Sequence, residues 1–163
     1  MTATEFRLAD WDDLPAVRLL LQEAFTPLAS SLPSRPTALD ETIASLTGHL
    51  ASGSQIFVAA RERRLVACLL VLPPEDGSAE VKRVCTHPDF QGNGLGSALL
   101  RHAEQQLRLQ GVQQIRLSTR RRLPGNLQFY QRLGYQLAEK QPYPEGVDDE
   151  RITLSKALSE LAA

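Results

Sequence analysis

Residues 91–96 have the composition and spacing expected of an anion-binding loop. Their sequence, QGNGLG, places three glycines in six positions, and a helical pattern, SALLRHAEQQLRL, follows at once. Because glycine has no Cβ, successive backbone N–H groups of such a loop can approach one cluster of oxygen atoms. The start of the following helix adds about half a positive charge. The sequence therefore predicts a phosphate or pyrophosphate site at this loop.

The spacing of the glycines excludes two common nucleotide-binding loops. A Walker A loop ends in Gly-Lys-Ser/Thr, whereas here Gly96 is followed by Ser97 and Ala98. A Rossmann loop has the pattern G-x-G-x-x-G after the first strand of a parallel βαβ unit. Here the pattern is G-x-G-x-G, and the loop follows the fourth predicted strand. A tight turn without a ligand remains the alternative, although such a turn does not require three glycines.

The elements that must position this loop follow from the hydrophobic periodicity. Strands are predicted at residues 4–9, 55–60, 64–72, 79–86, 113–119, 135–139 and 151–155. Helices are predicted at residues 10–25, 38–52 and 95–110, and a short helix from residue 126 is ended by Gly134; residues 26–36 are predicted to be a loop. In the third helix, Leu95, Leu99, Ala103 and Leu107 are spaced for one buried stripe. The order β-α-α-β-β-β-α-β-α-β-β predicts one mixed sheet with helices on both faces.

The bulk composition is that of one ordinary globular domain covering residues 1–163. The chain is 42% hydrophobic and 23% charged, and its net charge of −1 argues against general nucleic-acid binding. The longest apolar run, residues 65–72, is far shorter than the ~20 residues that span a bilayer, and the N-terminus is no secretory signal. Cys68 and Cys85 lie in apolar strands without a Cys-x-x-Cys, which predicts buried, reduced thiols in the cytoplasm, with neither zinc nor a disulfide.

Two segments of the sequence together resemble the GNAT superfamily of N-acetyltransferases. VKRVCTHPDFQGNGLGSALL, residues 81–100, is similar to the coenzyme-binding motif of that family, and NLQFYQRLGY, residues 126–135, is similar to its second motif. With the order of elements, the resemblance covers nearly the whole chain. It implies an α/β fold with a mostly antiparallel sheet, in which a bulge splays the fourth strand from the fifth. It also implies direct acetyl transfer from acetyl-CoA in a ternary complex, so Cys85 is not implied as a nucleophile.

The resemblance assigns the coenzyme site residue by residue. Backbone groups of Val84, Cys85 and Thr86 are implied to pair with the pantetheine arm. The pyrophosphate is implied to be surrounded, mostly by N–H groups, by Gln91, Gly92, Asn93, Gly94, Leu95, Gly96 and Ser97. Many family members carry a coenzyme-contacting asparagine seven residues before the tyrosine of the second motif, where this chain has Leu123. Asn126 is therefore interpreted either as a coenzyme contact or as the N-cap of the last helix.

Two residues are candidates for the chemistry of amine acetylation. Such a reaction needs an acceptor for the amine proton and benefits from a proton donor for the leaving thiolate. Tyr130 matches the tyrosine that family members place beside the thioester sulfur, and a phenol is protonated at neutral pH. The alternative is that Tyr130 only packs with Phe129 and Tyr135. His87 is interpreted as a surface-loop residue rather than a catalyst.

Glu80 lies near the start of the fourth predicted strand, where several family members carry a general-base glutamate. It is interpreted either as that base, acting directly or through a water, or as a solvated strand end. Strict alternation places two sets of side chains on opposite faces of this strand, Glu80, Lys82 and Val84 against Val81, Arg83 and Cys85.

By the same resemblance, residues 25–41 and 140–150 determine the specificity for the acceptor. Glu145, Asp148, Asp149 and Glu150 either attract a cationic amine or form a solvated loop. Arg120, Arg121 and Arg122 either meet the 3′-phosphate of CoA or keep their loop soluble.

The leading hypothesis is an acetyl-CoA-dependent N-acetyltransferase of small-molecule amines. It requires no metal, nucleic acid or membrane partner, and family members are often homodimers. A protein or peptide N-acetyltransferase is the alternative, because that branch shares every motif. A third hypothesis, an acetyl-CoA-binding sensor without turnover, is disfavoured by the presence of Tyr130.

Overall fold

A computed structural model describes residues 3–158 of the chain, and within them the predicted order of elements is confirmed. The strands are β1 Glu5–Leu8, β2 Gln55–Arg61, β3 Arg64–Val71, β4 Ser78–Thr86, β5 Gln114–Arg120, β6 Gln136–Pro142 and β7 Glu150–Ala157. The helices are α1 Leu14–Ala29, α2 Ile43–Ala51, α3 Leu95–Leu109 and α4 Pro124–Arg132. Short 3-10 turns occupy Trp11–Asp13, Thr37–Asp40 and Pro88–Phe90. No helix in this part of the chain is long and apolar enough to cross a membrane.

The end of α1 and the start of α2 differ from the prediction for local reasons. Helix α1 continues through Pro27 to Ala29, into the segment that was predicted to be a loop. Pro27 lies near the C-terminal end of the helix, so little of the helical hydrogen bonding depends on its missing N–H. Helix α2 begins only after Thr42, whose Oγ1 accepts from the Ser45 N–H at 3.0 Å, while the Ser45 Oγ accepts from the Thr42 N–H at 2.8 Å. This reciprocal capping box fixes the start of α2.

The seven strands form one sheet in the order β1-β2-β3-β4-β5-β7-β6. Neighbouring strands are antiparallel except β4 and β5, which are parallel and connected by α3. Helices α1 and α2 bury Leu14, Leu21 and Leu46 against one face of the sheet. Helix α3 covers the other face, with the predicted stripe buried from Leu95 to Leu107, and α4 packs on the same face. The predicted mixed sheet with helices on both faces is therefore confirmed.

Helix α3 also buries a charged residue that joins three elements. Glu104 is 3% exposed; it accepts a 2.7 Å hydrogen bond from the Tyr135 hydroxyl and a 2.9 Å hydrogen bond from the Lys156 ammonium. Tyr135 lies between α4 and β6, and Lys156 lies on β7. Burial, together with the Glu104 charge, raises the pKa of the Tyr135 phenol, so it remains the donor of this hydrogen bond. The three side chains lock α3 to the C-terminal half of the sheet.

We expect Glu104→Gln to lower the free energy of unfolding by about 2 kcal/mol. The amide turns an NH₂ group toward one of the two donors and leaves the Lys156 ammonium without a counter-charge. Urea unfolding measures this loss. Glu139→Gln is the matched control, because Glu139 makes a half-exposed ion pair with Arg116 and accepts an exposed hydrogen bond from the Gln141 side chain, both on the sheet surface. The control should cost less than about 0.5 kcal/mol. Equal losses in the two variants would contradict the structural role of Glu104.

Candidate active site

Strands β4 and β5 separate partway along the sheet and open a cleft between them. Their residue pairs run from Ser78↔Gln114 to Val81↔Leu117, and both strands continue beyond this last pair. The cause is a β-bulge at Arg83, which adopts the left-handed region with φ of 59°. Between the pairs Leu70↔Lys82 and Cys68↔Cys85, β4 has two residues where β3 has one. The extra residue bends β4 and increases its twist. The splay between the fourth and fifth strands is thus present, as the family resemblance implied.

The bulge also inverts the alternation of side chains along β4. Val84 packs with the α3 and α4 core, on the face of Val81, whereas Cys85 packs on the α1 and α2 face beside Cys68. The prediction that Val84 shares a face with Glu80 and that Cys85 shares one with Val81 is therefore wrong. One inserted residue moves every later side chain to the opposite face, and strict alternation has no means of representing it.

The two cysteines face each other across β3 and β4. Cys68 and Cys85 are register partners, both are free thiols, and their Sγ atoms are 3.6 Å apart. The contact with Cys85 and complete burial raise the pKa of the Cys68 thiol, which keeps it in the un-ionised state. Cys68 is buried and Cys85 is half-buried, close to the prediction of thiols inside apolar strands.

The glycine loop leads directly from β4 into α3, and its glycines are required for different reasons. Gly94 holds the N-cap position of α3 in the left-handed conformation, with φ of 74°. At Gly96 a Cβ would lie 3.2 Å from the Thr86 Oγ1 and 3.5 Å from the Phe129 Cζ. Gly94 therefore permits a backbone conformation, and Gly96 permits α3 to approach β4 and α4 closely.

The backbone N–H groups of this loop point away from the helix that follows. The Ala98 N–H makes a 3.0 Å hydrogen bond to the Gly94 carbonyl, and the N–H groups of Leu95, Gly96 and Ser97 precede it at the helix N-terminus. Residues 91–94, which include Gly92 and its φ of 84°, are exposed. This arrangement of free donors at a helix N-terminus is suited to an anion.

The polar side chains of the loop donate hydrogen bonds to backbone carbonyls of the loop and of the residues just before it. The Gln91 Nε2 donates to the Thr86 carbonyl at 3.1 Å, and the Asn93 Nδ2 donates to the Phe90 carbonyl at 3.4 Å. The Ser97 Oγ donates to the Gly94 carbonyl at 3.0 Å. These bonds hold the loop in shape, and the backbone N–H groups remain available for a ligand.

The last residues of β4 present one free edge to the cleft. Cys85 and Thr86 pair with Cys68 and Ala67 of β3 on one side only, because β5 has already diverged. Val84 is half-buried beside them. An extended chain can add to such an edge through backbone hydrogen bonds, as a further strand does.

Tyr130 of α4 is buried and lines the cleft. It is 6% exposed, and its ring packs edge-on against Phe129 at 5.3 Å and Tyr135 at 6.0 Å between centroids. Within residues 3–158 its hydroxyl has no hydrogen-bond partner. Burial, with a contribution from nearby Cys85, raises the pKa of the Tyr130 phenol, so it is protonated at neutral pH. Tyr130 therefore does pack with Phe129 and Tyr135, as the alternative interpretation held. Its hydroxyl is in addition available to donate a hydrogen bond or a proton.

One cavity of about 280 Å³ brings four of the predicted residues together, namely Glu80, Val84, Asn126 and Tyr130. Glu80 is exposed, and its carboxylate has no partner in the described part of the chain. Asn126 lies inside the first turn of α4, and the N-cap position is Leu123, so the capping interpretation of Asn126 is wrong. Pro124 starts the helix two residues earlier than predicted because proline is preorganised for a first helical turn.

Two arginines hold the segment between α1 and α2 over this cavity, a role that the sequence predicted for neither of them. The Arg83 guanidinium donates to the Glu41 carboxylate at 3.0 Å and to the Thr37 hydroxyl at 2.8 Å. The Arg120 guanidinium donates to the carbonyl and the hydroxyl of Ser34 at 2.9 and 2.8 Å. A cation inside a strand of otherwise apolar residues was the available signal for Arg83.

Arg120 also fixes the loop between β6 and β7. Its Nε donates to the buried Asp149 carboxylate at 2.7 Å, and its guanidinium lies 4.6 Å from the centre of the Tyr143 ring. Burial alone would raise the pKa of the Asp149 carboxyl, but hydrogen bonds from the Glu150 N–H, Arg120 and the Arg122 N–H hold it below its usual value. Arg120 thereby joins both loops that were predicted to determine acceptor specificity.

Three of the four acidic residues predicted near the acceptor are neutralised by the neighbouring arginines. Besides the Arg120–Asp149 pair, Arg121 and Arg122 both pair with Asp148, and Arg121 also lies 3.3 Å from Glu150. The acidic and basic groups that the sequence presented as separate patches are thus one network.

His87 is buried, and its interpretation as a surface residue is wrong. It is 6% exposed, its Nδ1 accepts from the Asp89 N–H at 3.1 Å, and its Nε2 lies 2.5 Å from the Glu23 carboxylate. Since Nδ1 is an acceptor, Nε2 carries the proton and donates to Glu23. His87 therefore anchors α1 to the end of β4, a long-range contact that a local pattern does not reveal.

Comparison with known proteins identifies the family. Residues 52–137, more than half of the chain, match the family described as "Acetyltransferase (GNAT) domain". The chain is 29% identical over 89 residues to a protein of Pectobacterium atrosepticum named "Amino-acid acetyltransferase", a match that covers 54% of this chain. The matched region spans only 19% of that curated relative.

Solved structures agree on the fold. The ribosomal-protein-S18-alanine N-acetyltransferase of Escherichia coli superposes with a TM-score of 0.79 at 20% identity, covering 96% of this chain and 95% of that one. The PaiA N-acetyltransferase of Thermoplasma acidophilum, solved in complex with coenzyme A, superposes with a TM-score of 0.80 at 16% identity, covering 95% and 99%. With the family match, the glycine loop and the splayed sheet, these findings show that the chain belongs to the GNAT family of acetyltransferases.

Proposed function

We propose that the protein transfers an acetyl group from acetyl-CoA directly to the primary amine of a small molecule in a ternary complex. One observation carries this proposal: the same cavity, in the cleft between β4 and β5, contains the hydroxyl of a buried tyrosine and an exposed carboxylate, and neither has a hydrogen-bond partner within residues 3–158. Amine acetylation needs a proton donor and a proton acceptor on either side of one reacting carbon. Tyr130 and Glu80 are the groups of the cavity that fit these two roles.

The residues that would hold acetyl-CoA fit its two polar parts. The N–H groups of Leu95, Gly96 and Ser97, with the exposed backbone of Gln91, Gly92, Asn93 and Gly94, suit the pyrophosphate. The free edge of β4 at Val84, Cys85 and Thr86 suits the amide groups of the pantetheine arm. Asn126, which lines the cleft, is proposed as a further contact. Bound in this way, acetyl-CoA supplies the thioester carbonyl that the amine attacks.

Glu80 and Tyr130 carry out the two proton transfers of the reaction. Glu80 accepts a proton from the attacking amine, directly or through a water, as the new C–N bond forms. Tyr130 donates to the sulfur as the C–S bond breaks, which yields an amide and a free thiol. Because the raised pKa of Tyr130 keeps the phenol protonated in the resting enzyme, the donor is in place before each turnover. Solvent then returns the proton from Glu80 to Tyr130.

The size and closure of the cavity favour a small acceptor over a protein chain. Its volume of about 280 Å³ lies near the lower end of the roughly 300–1,000 Å³ of typical small-ligand pockets. Arg83 and Arg120 hold the segment between α1 and α2 in place over it. The name of the Pectobacterium relative also supports a small acceptor. A screen of small amines and peptides for acetyl-CoA-dependent release of free thiol tests the proposal: turnover only of peptides would favour a protein acetyltransferase, and binding without turnover would favour a sensor.

Gly94→Val should weaken acetyl-CoA binding at least tenfold, which corresponds to about 1.4 kcal/mol. The new side chain strains the left-handed N-cap and places methyl groups beside the N–H donors of the loop. Isothermal titration measures the affinity. Gly111→Val is the matched control, because Gly111 has a φ of 93° and open space around its Cβ at the opposite end of α3. Unchanged affinity in folded Gly94→Val protein would rule out this site.

Tyr130→Phe should lower kcat about 100-fold or more and leave the KM for acetyl-CoA nearly constant. Only the hydroxyl is lost, so packing against Phe129 and Tyr135 survives, and the hydroxyl matters chiefly when charge develops on the sulfur. Steady-state kinetics with an acceptor from the screen gives both constants. Tyr135→Phe is the matched control: it removes a hydroxyl that donates a hydrogen bond to Glu104, so it should lower the stability of the fold more than it lowers kcat. Turnover by Tyr130→Phe within twofold of wild type, with chemistry rate-limiting, would show that Tyr130 is a packing residue.

Glu80→Gln should lower kcat/KM and flatten the acidic limb of its pH profile. The loss should shrink as the pH approaches the pKa of an alkyl amine, roughly 10, because the amine then loses its proton to solvent unaided. A pH–rate profile of both enzymes measures the effect. Glu5→Gln, on the exposed edge strand β1, is the charge-matched control. A pH–rate profile identical to that of wild type would show that Glu80 is not the general base but a solvated residue near the start of β4.

A further inference from the structure

We propose that the acceptor amine also carries an anionic group, a carboxylate or a phosphate, and that Lys82 and Arg151 bind this group. The inference rests on the proposed function, because it names the chemical class of the acceptor in the same cavity. It concerns the polar side chains that β4, β5 and β7 contribute to the lining of the cavity.

The cavity is lined by an excess of positive charge. Its cationic lining residues are Arg35, Lys82, Arg83, Arg120 and Arg151, and the only carboxylate among its lining residues is Glu80. Three of these cations pair with carboxylates outside the lining. The buried Glu41 lies 3.0 Å from Arg83 and the buried Asp149 lies 2.7 Å from Arg120, while the exposed Asp40 lies 3.4 Å from Arg35.

Two cations remain without a partner. Neither Lys82 nor Arg151 makes an ion pair or a side-chain hydrogen bond within residues 3–158. Both are exposed to solvent and contribute to the cavity lining, from strands β4 and β7. Against them stands the single unpaired carboxylate of Glu80, so the unpaired charge on the lining sums to one positive unit. Such a surface attracts an anion in a partly enclosed space, where screening by water is reduced.

A buried hydroxyl in the same lining independently indicates a polar ligand. Thr119 of β5 is 7% exposed, and its Oγ1 has no hydrogen-bond partner among the described residues. A buried polar group without a partner is costly, and a ligand that bonds to it removes the cost. The neighbouring Ser118 hydroxyl, by contrast, is already paired with Thr153 at 2.9 Å. Lys82, Arg151 and Thr119 can all donate, which is what the oxygens of a carboxylate or phosphate require.

The charges also select against a polycationic acceptor. Glu80 can take the proton of one amine, but a second ammonium group would meet Lys82 or Arg151 with like charge. Three of the four acidic residues at the loop between β6 and β7, which the sequence offered as an attraction for cations, are paired with Arg120, Arg121 and Arg122. The lining therefore favours an amine whose other end is negative.

The test compares acceptors and variants in matched pairs. Free-thiol release is measured with small amines that carry a carboxylate or a phosphate and with the carboxamide or alcohol of the same carbon skeleton. We expect kcat/KM to be at least tenfold higher for the anionic member of a pair. Lys82→Met and Arg151→Met should each raise the KM for anionic acceptors about tenfold, with little change in kcat or for neutral amines. Lys140→Met, on exposed β6 and outside the cavity lining, is the charge-matched control and should change neither.

Reversing the charge of Lys82 and Arg151 gives a second test of the anion site. The double variant Lys82→Glu/Arg151→Glu should prefer a diamine over the matching amino acid. Neutral amines turned over as well as anionic ones, with no effect of either Met variant, would overturn this inference and leave the acetyltransferase proposal intact. If titration shows bound acetyl-CoA but no amine of any charge releases thiol, the proposed function is wrong and the acceptor assignment fails with it.

Discussion

The extra residue in β4 at Arg83 is the constraint on which the site depends. A regular β4 would continue to pair with β5, and the edge at Val84, Cys85 and Thr86 would be occupied by backbone hydrogen bonds. The bulge ends that pairing after Val81↔Leu117 and creates both the free edge and the cavity. It also changes which side chains reach the cavity, because alternation beyond the bulge is inverted. A non-glycine residue with φ of 59° is unfavourable, and the hydrogen bonds of the Arg83 side chain offset part of that strain.

The same arginine illustrates how buried charge is used in this molecule. Arg83 and Arg120 each pair with a buried carboxylate and also donate to the segment between α1 and α2. Breaking either pair would leave an uncompensated charge in a poorly solvated place, which is strongly unfavourable. The two pairs therefore tie the covering segment to the strands on either side of the cleft. Contacts that fix a binding site in advance lower the ordering cost of binding.

Charge is distributed unevenly as a result. The buried carboxylates of Glu41 and Asp149 pair with Arg83 and Arg120, which hold the covering segment. In the part of the chain that the structure describes, the cavity-lining side chains of Lys82, Arg151 and Glu80 have no such partners. Whether a charged residue holds the structure or is available to a ligand thus depends on whether it has a partner, and not on its residue type. The glycine loop shows a similar division, since side chains of Gln91, Asn93 and Ser97 maintain the loop and its backbone N–H groups remain available.

The sequence by itself determined the order of the elements, the buried stripe of α3, the glycine loop at its N-terminus and the position of Tyr130 in the second motif. These features depend on local periodicity and on the backbone preferences of glycine, which are legible in short stretches of chain. Only the tertiary structure decided the face of Val84 and Cys85, the burial of His87 against Glu23, and the pairing of Arg120 with Asp149. A bulge, a buried histidine and an ion pair spanning 29 positions each depend on partners distant in the chain, and no local pattern encodes those partners.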